Sequence, residues 1–113
     1  MQLKVEIQED IVLLNPVGDL MNRIAAEFSA ERTRLMNEGY SKFVVDMQAV
    51  GLISSIGIRE IIVLLKESDG RGGGLYLVNL TAQVKSVLQV TGLLDLLKVA
   101  DSIEDAKVAL AAI

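Results

Sequence analysis

The sequence predicts a layered α/β domain with a mixed β-sheet, an antiparallel hairpin at its N-terminus and about four helices. Short apolar runs rich in β-branched residues alternate along the chain with segments whose apolar residues recur at helical spacing. Strands that alternate with helices need crossover connections, so most neighbouring strands are expected to be parallel. The chain has 113 residues, of which 51% are hydrophobic, so it can bury one continuous core. We expect residues 1–113 to form one domain.

The N-terminal hairpin is predicted from two strand-like runs. Residues 2–8 alternate between polar and apolar, and residues 11–17 form a second apolar run. Glu9 and Asp10 separate the two runs as a turn. Pro16 lies near the end of the second run, where its missing N–H group removes no central ladder bond.

Two helices with a strand between them are predicted next. Apolar residues recur at helical spacing from Met21, and this amphipathic helix is expected to end near Gly39. Residues 43–46 are short and apolar, which is typical of a strand covered on both faces, so we place it centrally in the sheet. A second helical pattern begins near Ile58 and ends in the glycine-rich segment 70–74.

The C-terminal part is predicted to contain one further strand, a short apolar run and two helices. Residues 75–78 are strand-like, and Thr81 can cap a third helix that ends at Thr91 and Gly92. The short run 96–100, which could add one more short strand, leads to Ser102, which opens a capping-box pattern and the last helix.

Composition excludes several classes of function. The sequence contains no cysteine and no histidine, which removes disulfides, thiolate nucleophiles, imidazole bases and zinc sites built on these residues. We find no arrangement of the remaining reactive side chains beside a recognisable ligand loop, so we expect no catalytic residue, no metal and no cofactor. The net charge of −4, without a cluster of Lys and Arg, argues against nucleic acid as a partner.

The apolar segments are too short for a membrane or an export signal. The first residues alternate between polar and apolar, unlike the long apolar region of a signal peptide. The longest apolar stretches, such as 61–65, fall far short of the ~20 residues needed to cross a bilayer. We therefore expect a cytoplasmic protein that does not insert into a membrane.

Two motifs invite a ligand-binding interpretation, and in each case a structural one is favoured. The segment 70–74 is glycine-rich, but a phosphate loop follows a strand and opens a helix, whereas here a helix precedes and a strand follows. Asp46 ends a predicted strand and could be a metal ligand. A lone carboxylate at that place is more often a capping or loop-fixing group.

Four short segments, taken in order, resemble the STAS family (sulfate transporter and anti-sigma factor antagonist). They are Phe43-Val44-Val45-Asp46-Met47, Ile53-Ser54-Ser55-Ile56-Gly57-Ile58, Thr91-Gly92-Leu93 and Ser102-Ile103-Glu104-Asp105-Ala106. In that family a buried strand is followed by a phosphorylatable serine at the start of a helix. The resemblance places Ser55 at the phosphorylated position.

The resemblance implies a partner switch that regulates transcription. The unmodified domain would bind an anti-sigma factor that is itself a serine kinase and so free the sigma factor, whereas phosphorylation at Ser55 would release the partner. A phosphoserine phosphatase would then reset the domain. The residues expected to contact the partner are Asn22, Ser54, Ser55, Ile56, Gly57 and Arg59.

Electrostatics at a helix start is compatible with such a switch. A helix N-terminus carries unpaired N–H groups and a partial positive charge, so a phosphoserine there is stabilised. An exposed Ile56 could extend the contact surface, and Arg59 could pair with an acidic partner group or the phosphate. The structural alternative is that Ser54 or Ser55 only caps the helix and Ile56 packs inward.

Three positions depart from the family pattern. Ser54 stands where the family has Asp, Ile56 where it usually has Ser or Thr, and Met21 where it has an acidic residue. The two missing acidic residues favour a second hypothesis with the same fold. In that hypothesis the chain is a non-phosphorylated scaffold or an accessory subunit of a membrane transporter complex.

Overall fold

A computed structural model describes residues 3–113. Within these residues, four strands form one mixed sheet in the order β1-β2-β3-β4. The strands are β1 (Leu3–Gln8), β2 (Ile11–Pro16), β3 (Lys42–Asp46) and β4 (Gly74–Val78). β1 and β2 are antiparallel, whereas β2, β3 and β4 are parallel to one another. The predicted hairpin and mixed sheet are confirmed. Gln2, which the prediction included in the first strand, lies outside the described residues.

Four α-helices alternate with or follow the strands, as predicted. They are α1 (Asn22–Asn37), α2 (Ser55–Gly70), α3 (Ala82–Val90) and α4 (Ile103–Ala111). Thr81 and Ser102 cap α3 and α4, since their hydroxyl oxygens accept hydrogen bonds from backbone N–H groups in the first turns. A short 3₁₀ helix at Leu93–Asp95, which the sequence pattern did not indicate, follows α3.

The sheet carries a core on each face because successive strand residues point to opposite sides. Phe43 and Val45 of β3 face the main core with Phe28 of α1, whereas Val44 faces the second core with Leu110 of α4. β3 lies between β2 and β4, so the expectation of a central strand covered on both faces is confirmed.

An ion-pair network joins α1 to α2. The Arg32 guanidinium on α1 donates to the carboxylate of Glu67 at 2.9 Å and lies 3.5 Å from that of Glu60, both on α2. The side chains of Arg32 and Glu60 are only 11% and 12% exposed. A single side chain of α1 thus bridges two carboxylates that lie seven residues apart on α2.

The chain between α3 and α4 adds only one bridge to the sheet. Within the predicted run 96–100, Val99 pairs with Leu77 of β4. The Leu77 N–H donates to the Lys98 carbonyl and the Ala100 N–H donates to the Leu77 carbonyl, each at 2.9 Å. This segment therefore covers the β4 edge near the C-terminal end of that strand without forming a full strand.

The structural interpretation of two motifs is confirmed. The glycine-rich segment ends α2 and leads into β4, and a Cβ on Gly73 would lie 1.8 Å from the Ser41 carbonyl oxygen, so the turn needs glycine. The Asp46 carboxylate accepts hydrogen bonds from the Gln48 backbone N–H at 3.0 Å and the Asn79 side chain at 3.1 Å. Asp46 thus fixes the loop after β3.

Candidate functional site

The loops that lead into α1 and α2 are joined side by side. Leu20 and Ile53 form an isolated parallel bridge. The Leu20 N–H donates to the Leu52 carbonyl at 2.9 Å, and the Ser54 N–H donates to the Leu20 carbonyl at 3.2 Å. The starts of the two helices therefore lie next to each other at one end of the domain.

Ser54 is the residue that caps α2. Its backbone is extended, and its hydroxyl oxygen accepts a hydrogen bond from the Gly57 N–H at 3.2 Å. The same hydroxyl donates to the Leu20 carbonyl at 3.4 Å. Ser54 thus stabilises the helix start and also ties it to the loop before α1.

Ser55, the first residue of α2, is exposed and takes no part in the cap. Within residues 3–113, its hydroxyl forms no hydrogen bond with another protein group. Of the two adjacent serines, the fold uses the first and leaves the hydroxyl of the second accessible to solvent.

Ile56 and Gly57 face in opposite directions. Ile56 is 54% exposed and does not pack inward. Gly57 is buried, and a Cβ on it would lie 2.1 Å from the Leu20 carbonyl oxygen. Gly57 therefore lies beneath the surface and allows α2 to approach the neighbouring loop, whereas Ile56 is part of that surface.

Polar and basic residues lie at the same end of the domain. Asn22 begins α1 with a φ of 48°, in the left-handed region that asparagine tolerates better than most residues. Arg59 is exposed one turn after Ser55. Neither α1 nor α2 has an acidic residue in its first turn, although the exposed Asp19 precedes α1 by three residues.

Two apolar residues of this surface were missed by sequence reasoning. Val17 and Leu52 are 37% and 39% exposed, in the loops that lead to α1 and α2. Val17 precedes Gly18, and Leu52 follows Gly51. An apolar residue beside a loop glycine was the signal in the sequence that could have indicated their exposure. They lie in the two paired loops at the same end of the domain as Ile56, and we refer to Val17, Leu52 and Ile56 together as the apolar patch.

The surface around Ser55 is an exposed helix start. A cleft of about 480 Å³ lies elsewhere, beside α3 and the chain after it, and is lined by residues such as Lys85, Leu97 and Asp101. Within residues 3–113 we find no group of three or more acidic side chains placed to hold a metal ion. In the same range, no helix has the length and apolar character needed to cross a membrane.

Comparison with known proteins gives consistent matches over nearly the whole chain. A model of the STAS domain family matches residues 2–106. A candidate anti-sigma factor antagonist of Thermotoga neapolitana, the TM1081 homolog, is 31% identical over 102 residues, which cover 89% of this chain and 90% of that protein.

Solved structures match the fold closely. The crystal structure of TM1081, a candidate anti-sigma factor antagonist from Thermotoga maritima, superposes with a TM-score of 0.89 at 28% identity and covers 96% of this chain and 94% of its own. Unphosphorylated SpoIIAA, an anti-sigma factor antagonist of Bacillus, has a TM-score of 0.84 at 18% identity. The match covers 98% of this chain and 97% of SpoIIAA. The second similarity is one of fold.

Proposed function

This chain belongs to the STAS domain family, and from that membership we propose that it is an anti-sigma factor antagonist controlled by phosphorylation of Ser55. In this proposal the domain acts in the cytoplasm by binding an anti-sigma factor that is also a serine kinase, and it is not itself an enzyme. Binding frees the sigma factor for transcription. The names of the Thermotoga relatives support the general role.

The observation that carries the proposal is the position of Ser55. Its hydroxyl is exposed at the first residue of α2, while the adjacent Ser54 supplies the cap. A kinase could reach this oxygen without displacing another side chain. The phosphoryl group would lie at a helix N-terminus, where N–H groups and the helix dipole favour negative charge. We therefore expect the phosphorylated domain to remain folded.

The apolar patch explains how phosphorylation would release a partner. Val17, Leu52 and Ile56 offer apolar area that a docking protein would cover together with Ser55. Phosphorylation adds about −1.5 to −2 charges at pH 7, and a partner covering them would have to remove their water. The cost falls on the complex and not on the free domain, and a phosphoserine phosphatase would restore binding.

Asn22 and Arg59 are proposed as the polar part of the contact. Both are exposed near the patch, and Arg59 forms no ion pair within residues 3–113. A guanidinium without an internal partner can pair with a carboxylate of the docking protein. Gly57, which is buried, contributes by permitting the close approach of α2 to Leu20.

The kinase assay is the direct test. We would search the neighbouring genes for an anti-sigma-type serine kinase, incubate it with the purified chain and ATP, and locate added phosphate by mass spectrometry. The expected result is one phosphoryl group on Ser55, absent from Ser55→Ala. Phosphate on another residue, or none, would contradict the proposal.

Binding gives the second readout. Ser55→Asp is expected to weaken the complex with this kinase by about tenfold or more, roughly 1.4 kcal/mol. Ser86→Asp is the matched control, because Ser86 is exposed on α3 and the same charge is added outside the patch. Equal affinities for the two aspartate variants would remove Ser55 from the interface.

The alternative within the same family is a non-phosphorylated scaffold or an accessory subunit of a membrane transporter complex. Met21 and Ser54, where the family pattern has acidic residues, favour this alternative. It predicts no phosphate transfer to Ser55 and equal kinase binding by wild type and Ser55→Asp, so the same two measurements separate the hypotheses.

A further inference from the structure

β1 leaves one edge of the sheet open. It pairs with β2 on one side, and among the described residues no strand pairs with its other side. The opposite edge of the sheet, at β4, is partly covered, because Leu77 exchanges hydrogen bonds with Lys98 and Ala100. The open edge at β1 is therefore the place where a further strand could be added.

The register of the hairpin determines which backbone groups face outward. Gln8 pairs with Ile11 across the two-residue turn, and such a closing pair is hydrogen-bonded. Because hydrogen-bonded and non-bonded pairs alternate, Leu3, Val5 and Ile7 direct their N–H and C=O groups away from β2. Three donors and three acceptors are thus available at the edge.

The side chains of β1 carry opposite charges at alternate positions. Lys4 and Glu6 are exposed on one face of the strand, and Ile7 on the other face is 42% exposed. The Glu6 carboxylate accepts a hydrogen bond through one oxygen from the Gln8 side chain. Two edge strands with charges of one sign would repel each other. When a strand carries one charge of each sign, two copies can pair antiparallel so that opposite charges face each other.

We propose that β1 pairs with β1 of a second copy of this chain, antiparallel, about a two-fold axis that passes through Val5. In this register each Lys4 stands opposite Glu6 of the other copy, and each Leu3 stands opposite Ile7. The Val5 pair and the two pairs of Leu3 with Ile7 take the hydrogen-bonded positions. The Lys4 and Glu6 pairs take the non-bonded positions, where facing side chains are closest.

Other two-fold registers lack this complementarity. An axis through Lys4 or through Glu6 would place like charges directly opposite each other, which is unfavourable. With the axis through Ile7, Glu6 of each copy would stand opposite Gln8 of the other, and Lys4 would lie outside the paired strands. The axis through Val5 is therefore the register that neutralises both charges and also covers the exposed Ile7. Neither Ser55 nor its modification enters this pairing.

Charge reversal on the full chain tests the pairing. Sedimentation equilibrium from micromolar concentration to about 1 mM is expected to show a monomer–dimer equilibrium. Lys4→Glu and Glu6→Lys should each weaken the dimer about tenfold or more, and the double variant K4E/E6K should return to within about threefold of wild type. Lys66→Glu, on the exposed surface of α2, is the control and should leave the dimer unchanged.

A backbone variant separates pairing from folding. Val5→Pro removes an outward N–H group that β2 does not use, so the hairpin ladder is retained while the dimer should be lost. Circular dichroism would check that each variant is folded. A wild type that stays monomeric at about 1 mM would overturn the proposal, as would a dimer that tolerates both single reversals or is not restored by the double one.

Discussion

The carbonyl oxygen of Leu20 lies 2.1 Å from the position that a Cβ on Gly57 would occupy. No side chain can be accommodated at that distance, so Gly57→Ala must push α2 away from the loop before α1. We expect a loss of about 1–3 kcal/mol in the free energy of unfolding, as for other overpacked sites, measured by urea denaturation. Partner affinity should fall as well, because the surface around Ser55 is displaced.

Gly70→Ala is the matched control for this substitution. Gly70 is the last residue of the same helix, and a Cβ there would meet nothing within 4 Å. The control should be neutral or more stable than wild type by up to about 1 kcal/mol. Equal stability of the two alanine variants would mean that the close approach to Leu20 does not constrain the fold.

Ser54 and Ser55 should respond differently to alanine. Ser54→Ala removes the cap on Gly57 and is expected to cost about 0.5–2 kcal/mol of unfolding free energy. Ser55→Ala should stay within about 0.5 kcal/mol of wild type, because the exposed hydroxyl of Ser55 forms no hydrogen bond in the described part of the chain. Thermal and urea unfolding of both variants would measure the difference. A larger loss of stability in Ser55→Ala than in Ser54→Ala would contradict the assignment of the cap to Ser54.

Ile56 should contribute to binding without contributing much to stability. Because its side chain is 54% exposed, Ile56→Ser is expected to change the unfolding free energy by less than about 1 kcal/mol. Affinity for the anti-sigma-type kinase should fall about tenfold, measured by calorimetry. Val90→Ser on α3, where the side chain is 84% exposed, should affect neither quantity. Similar losses of affinity in both variants would argue against a localised apolar patch.

Asp46 should be important for stability through a single carboxylate oxygen. Asp46→Ala leaves the Gln48 N–H and the Asn79 side chain without their acceptor, so we expect a loss of about 1–3 kcal/mol. Asp46→Asn keeps an oxygen at the same place and should recover part of this loss. Urea denaturation of both variants provides the measurement, and equal losses would show that charge matters here and hydrogen-bond geometry does not.

Elements that depend on local pattern could be predicted from the sequence. Thr81 and Ser102 are helix caps as expected, because a hydroxyl before a run of helical spacing acts within its own turn. The central strand 43–46 was likewise recognisable from its short apolar composition. The 3₁₀ helix was not recognisable, and the run 96–100, where an optional strand was expected, contributes only the single bridge of Val99. Both features depend on how the chain crosses the β4 edge.

The details of the candidate site depend on contacts between distant segments. The sequence contains two adjacent serines, and either could cap the helix. In the structure Ser54 is the cap, and its hydroxyl and N–H also donate to the carbonyl of Leu20, which lies 34 positions earlier. The exposure of Val17 and Leu52 also follows from the pairing of two loops, which no local periodicity encodes. The placement of Ser55 at a helix start could be predicted, but its freedom from the cap could not.

The hydroxyl of Ser55, which forms no hydrogen bond among residues 3–113, also bears on the speed of the proposed switch. Because this oxygen holds no element in place, a phosphoryl group could be added or removed without any helix having to unwind first. No slow refolding phase would then separate the two signalling states. The time course of the response would be governed by the abundance and turnover of the kinase and the phosphatase.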